Sequence, residues 1–369
     1  MNYFQRGAPA AWMAEPGSRV LIAGYVLVST GILLAISGAT WDVTYHLLNR
    51  PETFFSPPHA VLYSGVTTAL AGAVALAYHH YHYYHHYISA GKNKRIIGEG
   101  FAWPAGLAIA GVAMLIAAGP GDFIWHSAFG LDGLLSPPHS VLLSGMVISS
   151  VGAAAGLVRT YGGRIPLALA AFAMLPVWIS ASAGVHMASL PFSDTDFFNF
   201  NPEPRAGALA ATLGFPFVTG AVLLATWGIA GRRFGAISVL AASFVAVGTL
   251  ASIIPNEALV PTAPLYAGVL VPLVAADAIM SKWMSRRAIV FAGAIIGLSF
   301  FMLYYPLITH TYNEVVENKS VWPSLTGIIY FELAGTVFPL VAAPGAAMGI
   351  AGAIAGQRLA ARAELGLLK

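Results

Sequence analysis

Cysteine is absent from the 369 residues, and Asp, Glu, Lys and Arg together make up only 9% of them. The first absence excludes disulfides, thiolate metal sites and cysteine nucleophiles, so any metal must be held by nitrogen and oxygen. The second excludes an ordinary soluble domain, which carries about 25% charged residues. Long polar connections are missing as well. No stretch between apolar runs exceeds roughly 20 residues, which leaves no room for a separate soluble domain. The first 19 residues have no apolar core, so no cleavable leader is expected and the first apolar run itself directs insertion.

What is present is hydrophobic: 57% of the chain, with a mean hydropathy of +0.73. Apolar runs of about 18 residues or more are long enough to span a bilayer. Ten are expected, over about 20–40, 59–79, 101–120, 139–159, 165–186, 206–230, 235–254, 261–281, 287–309 and 324–356. The last is long enough to tilt, to break near Pro339 or Pro344, or to run on past the membrane. The expected fold is an all-α polytopic bundle arranged as five helical hairpins. Residues 1–19 form an N-terminal segment, 20–160 two related hairpins (copies 20–79 and 101–160), 161–356 three further hairpins, and 357–369 a tail.

Charge predicts the orientation. Of 18 Lys and Arg residues, all but Arg50, Arg205 and Lys319 fall at the termini or in the even-numbered connections. By the positive-inside rule both termini are cytoplasmic and the odd-numbered connections face outward. The pI near 9.0 then reflects topology, with no nucleic-acid partner implied and the lipid bilayer as the expected surroundings.

The polar residues that remain are not scattered. WDVTYHLLNRPETFFSPPH (41–59) and GDFIWHSAFGLDGLLSPPH (121–139) both read Asp-x3-His-x9-Ser-Pro-Pro-His, eighty positions apart without insertion. Likeness continues as AVLYSG (60–65) against SVLLSG (140–145), so hairpins one and two form an internal repeat of like orientation. Asp42 and His46, like Asp122 and His126, stand four apart and share a helix face. Ser56 and Ser136 read as N-caps followed by proline, which puts His59 and His139 in the first turn of the next helix. The positive end of the helix dipole disfavours an imidazolium there, and a neutral imidazole is the form a metal binds. A short connection returns each such His to the Asp and His before it. The result is two three-ligand sets, Asp42/His46/His59 and Asp122/His126/His139, each leaving a coordination position open.

This pattern resembles the copper-binding signature of the C subunit of the particulate methane and ammonia monooxygenases. The residues that carry it are Asp42, His46 and His59 with FSPPH at 55–59, and Asp122, His126 and His139 with Trp125 before His126. It covers about 25 residues per copy. The resemblance implies a membrane copper site on the extracytoplasmic side that activates oxygen for hydroxylation, alongside partner subunits or further copies. The family's subunit carries one such motif where this chain carries two, and the soluble copper domain of the family's partner has no counterpart here. Zinc accepts the same ligands.

Other features are less specific. Residues 77–95 hold His79, His80, His82, His85 and His86 among tyrosines, readable as loose metal binding or as interfacial anchoring. His186 and His310 are single histidines at helix ends, each readable as an extra ligand. Asp194, Asp196 and Glu203 belong to a polar connection. Glu332 lies inside an apolar run, where acids are commonly functional. GAAMGIAGAIAG (345–356) reads as a small-residue packing face. A transporter or channel is a second reading, for which ligands near the membrane midplane are expected. A b-type haem protein is a third, using His59 and His139, but it leaves the paired aspartates without a role.

Overall fold

The computed structural model describes residues 16–47, 50–51, 53, 55–84, 102–129, 135–189, 204–299 and 338–364, and among these every regular element is helical. The helices are α1 (Pro16–Leu47), α2 (Pro57–His79, prolonged by a π turn, His80–Tyr84), α3 (Ala102–Phe129), α4 (Pro137–Thr160), α5 (Leu167–Ser189) and α6 (Pro204–Ile229). They continue as α7 (Ala236–Gly248, ending in a π turn, Thr249–Ile253), α8 (Ala263–Ala267), α9 (Leu270–Trp283), α10 (Arg286–Ser299) and α11 (Phe338–Glu364). Seven described helices, α1 to α7, are long and apolar enough to cross a membrane, and they match the first seven expected runs.

The eighth expected run, 261–281, is not one continuous helix. A 3-10 turn (Glu257–Thr262) leads into α8, and α9 starts only at Leu270. Pro261, Pro264, Gly268 and Pro272 punctuate the stretch, removing backbone donors and helix propensity where a span needs them. The ninth run is described as far as Ser299, and the tenth only from Phe338, where α11 passes through Pro344 without a break.

Helices with so few polar groups gain little by hiding from lipid, so they associate through close packing. Glycine permits it. A Cβ on Gly31 would overlap the backbone of Ala69, and one on Gly65 would overlap that of Ala35, so α1 and α2 run antiparallel almost in backbone contact. Eighty positions on, a Cβ at Gly111 would fall 2.5 Å from Ser149 N, and one at Gly152 2.5 Å from Ala108 N, locking α3 to α4. Gly31 and Gly72 thus have counterparts in Gly111 and Gly152 that meet equivalent backbone atoms, while Gly65 and Gly145 share only the facing glycine carbonyl, that of Gly31 or Gly111. The two pairs are joined where the buried ring of Tyr25 on α1 fills the space over Gly156 of α4. The 345–356 stretch packs as read: Gly352 and Gly356 of α11 lie against the backbone of α6 at Phe217 and Ala221.

One buried acid holds two helices in register. Asp277 of α9 is fully buried, and its Oδ2 accepts from Gly235 N and Ser238 N (both 2.9 Å) and from Ser238 Oγ (2.7 Å). It caps α7 from a neighbouring helix, across Gly235, whose φ of 98° suits only glycine. At the same end of the bundle Glu364 receives Arg164 (3.1 Å) and Arg232 (3.2 Å), a partly exposed pair of contacts that adds little.

Three substitutions test this packing by thermal unfolding in one detergent. Gly111→Val should cost about 1–3 kcal/mol through overpacking. Gly106→Ala on the same helix, with nothing within 4 Å, should cost nothing. Asp277→Ala should cost about 1–3 kcal/mol by stranding the α7 amides.

Candidate metal centre

The second motif forms a compact ligand set. Asp122 and His126 occupy the last two turns of α3, and His139 the first turn of α4. Asp122 Oδ1 lies 3.4 Å from His126 Nε2 and 3.2 Å from His139 Nε2, and the three ligand atoms all fall within 4.8 Å of one another. A tetrahedral ion with bonds of about 2.0–2.2 Å sets its ligand atoms roughly 3.3 Å apart, the separation of both Asp–His pairs. All three side chains are partly buried. Pro120, two residues before Asp122, removes one backbone hydrogen bond from the turn that leads into the site.

Local sequence sets this geometry. Ser136 Oγ accepts from His139 N (3.4 Å), the expected N-cap, with Pro137 and Pro138 opening the helix. His139 Nδ1 is buried and has no hydrogen-bond partner among the described residues. Nothing there competes with Asp122 for the orientation of the ring.

In the first copy, Asp42 Oδ1 and His59 Nε2 are 2.9 Å apart, bridging α1 and α2. His46 follows Asp42 by one turn in α1, and its side chain lies outside the described residues. The cap differs from expectation. Ser56 makes no side-chain bond to the helix backbone, and its hydroxyl meets His59 Nδ1 at 3.2 Å instead. The same Nδ1 is 2.8 Å from the carbonyl oxygen of Thr53.

That contact fixes the chemistry of the ring. A carbonyl only accepts, so Nδ1 carries the hydrogen, and a neutral imidazole then turns the lone pair of Nε2 toward a carboxylate. Two acceptors at this distance need a positive centre, either a proton on Nε2 or a metal ion bound by both. A backbone carbonyl orienting the far nitrogen is the usual support of a metal-bound histidine.

Asp42 and His59 from one copy and Asp122 and His139 from the other line one cavity of about 640 Å³. Tyr63 stands on its wall, stacked on His59 with ring centroids 5.9 Å apart and within electrostatic reach of both Asp42 and Asp122. Its counterpart eighty positions later is Leu143, which also lines the cavity. Motif spacing gives no reason to single out Tyr63, because the two copies differ there. Asp277 had a visible signal, an acid inside an expected span.

Of the other expected residues, His186 faces the same cavity, its ring 4.7 Å from that of Phe215. His79, His80 and His82 stand at the far end of α2, about 20 residues or 30 Å from His59, too distant to complete its site. His85, His86, Asp194, Asp196, Glu203, His310 and Glu332 lie outside the described residues. Comparison with protein-family models, curated proteins and solved structures gives no match for this chain.

The two caps make a paired test. Ser136→Ala removes a backbone cap and should lower stability by about 1 kcal/mol. Ser56→Ala, whose hydroxyl faces an imidazole, should lower it less; equal losses in thermal unfolding would contradict the difference in capping.

Proposed function

We propose that this chain is a multi-pass membrane metalloprotein that holds copper in two Asp/His/His sets, Asp42/His46/His59 and Asp122/His126/His139. The convergence of Asp122, His126 and His139 on one point carries this reading. The Asp42–His59 contact, with Nδ1 held by a backbone carbonyl, supports the same role for the first copy. Equivalent glycine contacts in α1/α2 and α3/α4 support a duplicated hairpin as their common origin, within a bundle of five hairpins. Charge asymmetry supports an extracytoplasmic position for both sets.

The donor set fits copper. It offers two imidazoles and one carboxylate without thiolates, and copper binds such ligands more tightly than other divalent first-row ions. Three protein ligands leave a place for an exogenous molecule, and a bound ion there would supply Lewis acidity and one-electron chemistry. The chain's own residues do the rest. Asp122 faces both imidazoles at once, Thr53 fixes the ring of His59, and the apolar cavity wall limits water. By motif the chain resembles the C subunit of the copper membrane monooxygenases, and we read its activity as oxidation in the bilayer, alone or with partner subunits. The ligands stand at helix ends, which favours a resident ion over a transported one held at the midplane.

Metal analysis of the full chain reconstituted in lipid tests this. Two copper ions per chain are expected, falling to one with Asp42→Ala or Asp122→Ala and to none with both. Copper content indifferent to these substitutions would sink the proposal, a Soret band would point to haem, and metal accumulation in proteoliposomes would point to transport.

A further inference from the structure

The cavity is much larger than an ion and its water require. At about 640 Å³ it falls within the range of pockets that enclose drug-sized molecules, far beyond the needs of a one-carbon substrate or ammonia. Its polar ligands gather at one end. Along each helix the wall then turns apolar: Ile36 lies six residues before Asp42, Leu115 seven before Asp122, and Met146 seven after His139. At 1.5 Å per residue the cavity runs about 10 Å from the ligand sets along the helix axes.

Three hydroxyls on this wall are already engaged, those of Thr40, Thr44 and Ser252, the last on the carbonyl of Gly248 (2.6 Å). Thr40 Oγ donates to the carbonyl of Ile36 (2.7 Å) and Thr44 Oγ to that of Thr40 (2.9 Å). Apolar side chains such as Ile36, Val66, Leu115 and Met146 dominate this length, which suits a hydrocarbon segment better than a sugar-like or multiply charged molecule. Asp42 and His59 from α1 and α2 face the same space as Asp122 and His139 from α3 and α4.

We propose that the two ligand sets serve a single chamber, whose occupant is one amphiphile: a nitrogen or oxygen head that coordinates metal, on a slender hydrocarbon body about 10 Å long. The head rests on the metal reading above; the body rests on the cavity alone. The occupant enters head-last or head-first from the lipid, so the chamber selects by length and by the presence of a coordinating atom.

The test uses the full chain in phosphatidylcholine nanodiscs, loaded with Cu(II), and two probes, 1-decylimidazole and 1-methylimidazole. Electron paramagnetic resonance reports coordination of the head. Val66→Trp and Ala183→Trp fill the chamber wall away from the ligands, and retained copper stoichiometry shows that they fold. Each should weaken the response to decylimidazole by about tenfold or more while leaving that to methylimidazole unchanged. One decyl probe per chain should bind, whether Asp42→Ala or Asp122→Ala has removed one ion. A decyl alcohol carrying a photoreactive diazirine should label chamber residues in copper-free protein and lose that labelling in Val66→Trp.

Equal weakening of both imidazoles, two decyl probes per chain, or labelling unaffected by Val66→Trp overturns the chamber. Labelling confined to the chamber, with no copper signal that depends on Asp42 or Asp122, overturns the metal reading and the coordinating head with it.

Discussion

An acid on one helix meets an imidazole on the next within about 3 Å at the end of two hairpins whose helices run nearly backbone to backbone. Glycine makes that approach here. Gly31 and Gly65 close α1 on α2, Gly111 and Gly152 close α3 on α4, and the Asp–His contacts lie at the ends of those seams. In lipid, where apolar surface gives helices little reason to associate, such seams carry the packing. The ligand geometry is therefore a property of the whole hairpin. A side chain added twenty ångströms or so down the seam, about 13 residues, would open the site as surely as one added beside it.

Much of this was readable in the chain. Composition and apolar run length predicted the helices because a bilayer demands about 20 apolar residues per span and tolerates few charges. Seven of the ten expected spans appear as such, and the eighth is shortened by its prolines and Gly268. The motif predicted the approach of Asp122, His126 and His139 and of Asp42 and His59, since i to i+4 spacing and a proline-opened helix are local rules. The second copy follows them through the Ser136 cap. Ser56 departs because its hydroxyl oxygen meets the Nδ1–H of His59 in place of a backbone amide, a choice between two donors that spacing does not encode.

Tertiary facts were hidden from the sequence. That Asp42 and His59 face the same cavity as Asp122 and His139 depends on how α1/α2 packs on α3/α4 through Tyr25 and Gly156, a contact between residues far apart in the chain. Asp277 shows the same limit from the other side. An acid in an apolar run reads as a functional group, yet Oδ2 of this one is spent on capping α7. Burial of a carboxylate marks a site only when its partners are known, and here three donors from one helix end satisfy Oδ2.

Tyr63 and Leu143 occupy equivalent positions beside otherwise matching ligands. A phenol and a branched alkane differ in polarity, polarisability and hydrogen-bonding capacity, so matching donor atoms do not produce matching surroundings. Under the copper reading, ions held by the two copies would differ in reduction potential, and an electron reaching the chain would have a preferred resting place. On that reading, one such exchange between the copies would turn a symmetric pair into a donor and an acceptor.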